Sequence, residues 1–215
     1  MESSRKARLY GGLDAEERRT ERRLKLIDAA IEVYGEVGYR SATVKAICEA
    51  AELTERYFYE SFANSEALLI AAYTHVVDHL YADMTAAAAA AGDDADARLR
   101  AALTLYFTRL KEHPKPARVF LLEISGISPA VEAVTLDAGR VFSEILVPPT
   151  FDPRRSGKGP ATLLAVGMIG AVISIARRWV SRQYPEPVAE VAATAASFCR
   201  VALGAADHPS HAVPG

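Results

Sequence analysis

Thr54, Glu55, Arg56, Tyr57 and Tyr59 crowd a hydroxyl, a carboxylate, a guanidinium and two phenols into one short stretch, outside any apolar stripe. Such groups suit nucleic acid. A guanidinium can grip guanine O6 and N7 with two parallel hydrogen bonds, worth about 1–3 kcal/mol of discrimination, and a carboxylate can accept from a cytosine amine. Arg56 is therefore the expected base reader. Glu55 is either a second reader or an anion placed favourably in the first turn of a helix. Tyr57 can meet a thymine methyl or the backbone. Thr43, at a helix N-terminus, can donate to a phosphate, and Lys45 two residues on adds a cation.

These side chains need two helices and a turn to present them. Val44, Ile47, Cys48 and Ala51 recur at three- and four-residue steps, which places them on one face of a helix beginning at Thr43. Leu53 and Thr54 break the pattern. Thr54 is an expected N-cap whose hydroxyl accepts an orphan amide of the next helix, and Phe58 and Phe62 stack on that helix's buried side. Any small helical hairpin shows similar spacing, but the preceding segment supplies a brace. Leu24, Ile27, Ile31 and Tyr34 form another stripe, Gly38 can take the left-handed conformation that closes a helix, and Arg18, Arg19, Arg22, Arg23 and Lys25 cluster near its start. Three helices with a polar, cation-rich face make a helix-turn-helix unit.

Residues 20–70 resemble the N-terminal domain of the TetR family of bacterial transcription regulators. The likeness is carried by Gly38-Tyr39, Thr43, Ile47, Ala51, Tyr59, Phe62, Glu66 and Leu68 within the string IDAAIEVYGEVGYRSATVKAICEAAELTERYFYESFANSEALL. It implies an all-helical homodimer whose C-terminal domain binds an inducer, and it gives Tyr59 a contact with the DNA backbone. The chain also departs from the family pattern. The usual turn glycine is Glu52, a modest strain of about 1 kcal/mol if its backbone is left-handed. Glu60, Ser61 and Ser65 stand where basic or histidine residues are common. With residues 1–65 close to neutral, affinity must come from locally arranged cations, and Arg22 and Arg23 are the expected compensation, ahead of Arg5, Lys6 and Arg8.

The whole chain fits this organisation. It has 215 residues, half of them hydrophobic, with a net charge of −2, enough for one sizeable core or two small ones. Strand-type alternation is scarce and Ala abundant, so the expected class is all-α with about nine helices. The expected divisions are a flexible basic arm over residues 1–17, the helix-turn-helix domain over 18–64, a ligand-binding and dimerisation domain over 65–204, and a flexible tail over 205–215. Cys48 and Cys199 make no disulfide framework, the charged start lacks a secretion signal, and a cytoplasmic location without membrane contact follows as the expectation. The apolar run at 161–176 falls short of the roughly 20 residues of a span and reads as a buried helix.

By resemblance the last two helices pair with their two-fold mates. Gly167, Gly170, Ala171 and Ser174 are small enough for close approach, and Val191, Ala195 and Phe198, with Ile169 and Ile173, supply apolar contact. A two-fold dimer addresses a pseudo-palindromic operator on double-stranded DNA. An inducer of unknown identity is expected among Tyr106, Phe107, Leu110, Phe120, Leu121, Ile124, Phe142 and Met168, with Glu123, Arg109 or Arg140 as its polar handle. Glu123, an acid inside VFLLEI, favours an amine-bearing apolar molecule. A different class of function stays open at His75 and His79, one helical turn apart with Asp78 between them, a spacing that metal-sensing or metal-binding helices use. No catalytic motif, phosphate loop or cofactor signature is present, so neither enzyme activity nor a bound cofactor is expected.

Overall fold

The computed structural model describes residues 2–147 and 160–207, and among them every regular element is helical. The expected polar loop within 148–159 and the tail beyond Asp207 lie outside the described residues. The elements are α1 (Glu2–Val37), α2 (Val44–Ala50), α3 (Glu55–Ser61), α4 (Ser65–Ala90), α5 (Ala95–Glu112), α6 (Pro114–Arg118), a π-helical turn (Val119–Glu123), α7 (Pro129–Leu146), α8 (Pro160–Ser181) and α9 (Val188–Asp207). Two boundaries differ from expectation. Helix α1 begins at Glu2, so the segment read as a flexible arm continues the helix, and α9 carries the first residues of the expected tail.

Local chemistry explains most of the starts and stops. Thr43, Asn64, Asp94 and Ser128 each accept the amide three residues on, from Ala46, Ala67, Ala97 and Val131, at 2.8–3.2 Å. Gly38, Gly92 and Gly126 have φ of +84°, +86° and +69°, the left-handed conformation that closes a helix or turn. Thr54 corrects the expectation placed on it: it stands at the N-cap of α3, but its side chain makes no cap bond. The Tyr57 amide is met instead by the Thr54 carbonyl oxygen at 3.0 Å, which leaves the hydroxyl free.

The core is continuous from the first helices to the last. Ile27, Ile31 and Tyr34 of α1 are buried as expected, while Leu24 is 44% exposed and its inward place is taken by Leu26 at 0%. The long α4 packs by its start on α1 and further along on α5 and α7, so it spans both halves of the molecule. Helix α6 also lies against α1, and the approach at Gly35 leaves no room for a side chain beside Lys115. Arg118 and Lys115 thus stand where the C-terminal half of the chain touches the N-terminal one.

Candidate nucleic-acid interface and ligand cavity

The turn between α2 and α3 is closed by two backbone bonds, from the Leu53 amide to the Cys48 carbonyl at 2.9 Å and from the Glu52 amide to that of Glu49 at 3.2 Å. This pair needs a left-handed residue between them, and Glu52 provides it at φ 55°. Ile47, Cys48, Ala51, Phe58 and Phe62 seal the underside, whereas Thr54, Glu55, Arg56 and Tyr59 stand in solvent. Tyr59 is 62% exposed and rests edge-on against Phe58, with ring centroids 5.1 Å apart. Its phenol is therefore braced and unburied. Thr43 is exposed at the N-terminus of α2, and Lys45, also exposed, lies 3.8 Å from Glu49.

Arginines of α1 hold α3 in place. Arg23 donates through Nη1 to the Ser61 carbonyl oxygen at 2.7 Å and lies 4.1 Å from the Phe62 ring centroid; Arg22 lies 4.6 Å above the Tyr57 ring. Arg19 Nη2 reaches the Glu60 carbonyl oxygen at 3.4 Å. Cations thus satisfy the last carbonyls of α3 where the helix dipole is negative. Spacing read Arg22 and Arg23 only as phosphate contacts, because it could not show that α1 crosses the end of α3. Arg56 has a partner too: its Nε donates to Glu60 Oε1 at 2.8 Å.

A cavity of about 570 Å3 opens between α4, the π turn, α7 and α8. Its floor is apolar, with Tyr73 stacked on Phe120 at 5.7 Å beside Leu121, Ile124 and Ile173. Its rim is polar, with Ser125, Ser128, Glu132, Thr135 and Arg177. Of the expected ligand residues, Phe120 and Ile124 line it, as does Leu121. Tyr106 lies one layer behind, edge-on to Phe120 at 6.4 Å; its hydroxyl is buried with no hydrogen-bond partner, and burial pushes its phenol well above the ordinary value. Phe107 instead packs on Trp179, Phe142 on Phe120 and Tyr81, and Met168 is sealed in the core.

Glu123 is a correction. Its side chain turns away from the cavity to the opposite side of the π turn, where Oε2 accepts the Tyr39 amide at 2.8 Å and Oε1 accepts Arg118 Nε at 2.8 Å. Arg118 Nη1 also donates to the Glu36 and Gly35 carbonyl oxygens at 3.3 and 3.5 Å, the end of α1. Arg140 is exposed beside Glu144, so neither residue is a polar handle. Tyr73 and Arg177 had no sequence signal, since a gap between helices leaves no periodic trace.

Arg109 and Leu110 border a second cleft of about 490 Å3, between α1, α4, α5 and α6, which also holds His75, His79 and His113. The His75 and His79 rings lie 4.3 Å apart, the His79 Nδ1 atom is 2.8 Å from the His75 carbonyl oxygen, and His75 Nε2 is 3.6 Å from Asp28. Among the described residues no three or more His, Cys, Asp or Glu side chains are arranged to hold a metal ion.

Helix α8 is only partly the buried helix expected. Leu163–Ser181 is long and apolar enough, by length and composition alone, to cross a membrane, yet one third of it is buried. Leu163 and Val166 are 72% and 63% exposed, and a side chain at Gly167 or Gly170 would meet nothing within 4 Å. Phe198 and Val201 of α9 are 46% and 73% exposed. Val191 and Ala195, expected at an interface, are corrected to core positions at 6% and 0%. Ala171 is half-buried and Ser174 exposed.

Residues 26–72 match the model of the bacterial regulatory proteins of the tetR family. Over 171 residues the chain is 28% identical to the HTH-type transcriptional activator FasR of Mycolicibacterium smegmatis, covering 78% of this chain and 76% of the relative. In fold it resembles the fatty acid degradation regulator FadR of Bacillus halodurans, with a TM-score of 0.68 at 19% identity over 89% of this chain and 97% of that one. It likewise resembles the transcriptional regulator FadR of Bacillus subtilis in complex with stearoyl-CoA, with a TM-score of 0.68 at 20% identity over 82% and 96% of the two chains.

Proposed function

We propose that the chain is a dimeric repressor of the TetR type that releases a pseudo-palindromic operator when an amphipathic ligand fills the cavity between α4, the π turn, α7 and α8, a reading supported by the match of residues 26–72 to the tetR-family model. The recognition helix is α3, with Arg56 reading a guanine, Glu55 and Tyr57 contacting base edges, and Thr43, Lys45, Thr54 and Tyr59 positioning the backbone. The proposed chemistry is binding rather than catalysis, and a DNA partner supports a cytoplasmic location.

The observation that carries the switch is the π turn. Phe120 and Leu121 on one side of it line the cavity, while Glu123 on the other holds the Tyr39 amide at the start of the helix-turn-helix. A ligand that displaces Phe120 moves Glu123 and Arg118 with it, and these grip the end of α1. π turns recur at functional sites because their wide register leaves slack for such displacement. Tenfold weaker operator binding needs only about 1.4 kcal/mol of ligand preference for the released state. The apolar floor below a rim bearing Arg177 favours a molecule with a hydrocarbon tail and an anionic head. The stearoyl-CoA bound to the Bacillus subtilis relative is such a molecule, and long-chain acyl-CoA is the ligand class we propose.

Selection of binding sites from random DNA tests the first half of this reading: a two-fold symmetric consensus is expected, and recovery of no consensus overturns it. Addition of palmitoyl- or stearoyl-CoA to the complex tests the second. Release is expected for the parent and for a control surface variant, and Glu123→Gln should bind acyl-CoA equally well yet release DNA poorly. Tight acyl-CoA binding without release in the parent would defeat the switch.

A further inference from the structure

Arg56 and Glu60 sit one turn apart on the outer face of α3, and their contact has a specific orientation. The Arg56 Nε donates to Glu60 Oε1 at 2.8 Å, with the Arg56 side chain 83% and that of Glu60 41% exposed. A guanidinium has five N–H donors in a rigid fork. With Nε occupied, the two terminal amino groups remain on the edge facing away from Glu60, and that edge is the one that fits guanine O6 and N7 together. The backbone that carries Glu60 is itself held, since the Glu60 carbonyl oxygen accepts Arg19 Nη2 at 3.4 Å and the Ser61 carbonyl oxygen accepts Arg23 Nη1 at 2.7 Å.

We propose that Glu60 is a positioning residue for base reading, which orients the Arg56 fork end-on to one guanine and thereby sets sequence preference. This rests on the reading of α3 as the major-groove helix with Arg56 its base reader. An acid beside DNA repels phosphates, so a residue kept there for general affinity would be basic. Glu60 lowers affinity for DNA at large and raises discrimination. A free arginine samples many rotamers and also drifts to phosphates, where it carries no sequence information. Holding Nε removes much of that freedom before the complex forms, so less ordering remains to be done on binding.

The two effects of Glu60 have opposite signs, and that separates positioning from a merely structural contact. The test compares the parent, Glu60→Gln, Glu60→Ala and Arg56→Ala as full-length proteins, all at exposed positions, by competitive binding of the selected operator against variants at each G·C pair and against random DNA. Arg56→Ala should lose about 5- to 150-fold preference at one G·C pair. Glu60→Ala should lose several-fold at that same pair while binding random DNA as tightly as the parent or more so, and Glu60→Gln, which can still accept from Nε, should fall between. If Arg56→Ala flattens one position and Glu60→Ala leaves every preference intact, the role of Glu60 is overturned and the reading of Arg56 stands. If Arg56→Ala alters no base preference, Arg56 is no reader and the proposal falls with it. Equal losses on operator and random DNA for Glu60→Ala, with a lowered melting midpoint, would show a helix-stabilising pair only.

Discussion

Tyr106 holds a hydroxyl in the core of the C-terminal half with nothing to bond to, an arrangement that costs about 1–3 kcal/mol against a paired group. Its ring is needed, since it lies 5.0 Å from Phe107 and 6.4 Å from Phe120, but the oxygen is not needed for packing. Burial also raises the phenols of Tyr34 and Tyr73 above the ordinary 10.0, and pushes the Cys199 thiol up from 9.0 to about 11. In the unfolded chain these groups release their protons nearer their ordinary values, so the folded form holds more protons once pH exceeds about 9–10. Stability from this source is complete below that range and falls as pH rises through it. Thermal unfolding followed by circular dichroism should give a flat midpoint between pH 7 and pH 9 and a steep decline above pH 10. Tyr106→Phe should match or exceed the parent by up to about 1 kcal/mol at neutral pH, with a shallower alkaline decline. A variant as alkali-sensitive as the parent would mean that Tyr106 does not contribute to it. If the hydroxyl serves a ligand, the same substitution weakens acyl-CoA binding while leaving operator binding intact.

At the scale of elements, the turn residue Glu52 is the clearest case of strain accepted for geometry. Its φ of 55° lies in the left-handed region, and the Cys48 and Glu49 carbonyl bonds around it require that conformation. Glu52→Gly should therefore stabilise the helix-turn-helix by roughly 0.5–1 kcal/mol, the relief of strain exceeding the added freedom of the unfolded chain. A higher urea midpoint at unchanged slope is the expected outcome; a lower midpoint would mean that the side chain contributes more than the backbone loses. This strain was legible before any coordinates because the family resemblance marks the position as glycine. The helix start at Thr43 was equally legible, because the apolar steps of α2 begin directly after it. Less visible was anything made by two elements meeting. Thr54 has the right side chain for a cap, but the Tyr57 amide is taken by the backbone. Val191 and Ala195 are apolar and helical, yet periodicity does not say whether a face meets its own chain or another; here both are buried in a helix that packs on α5. Glu123 looked like a charge in an apolar cavity because its neighbours are apolar. In a π turn, side chains a few positions apart point to opposite sides, and so Phe120 and Glu123 separate.

For the whole molecule, the question is what covers the outer face of α8 and α9. Leu163, Val166, Phe198 and Val201 expose large apolar side chains beside open glycines, more than a solitary chain is expected to leave in water. A second copy related by a two-fold axis would bury the stripe against itself, and a stable dimer of this kind covers about 800 Å2 on each partner. Gly170 offers a sharp test. A side chain there meets nothing in its own chain, and glycine inside a helix is about 1 kcal/mol worse than alanine. Gly170→Arg should therefore leave an isolated chain intact or slightly more stable, while placing a bulky, unpaired charge at the centre of the proposed interface. Light scattering is expected to report a dimer for the parent and a monomer for the variant at micromolar concentration, with unchanged helical content. Operator affinity should fall about 100-fold or more, because each monomer then engages one half-site without the second being held near by its mate. A variant that remains dimeric would move the interface off this face, and a monomeric variant that binds the operator undiminished would break the link between dimerisation and palindrome recognition.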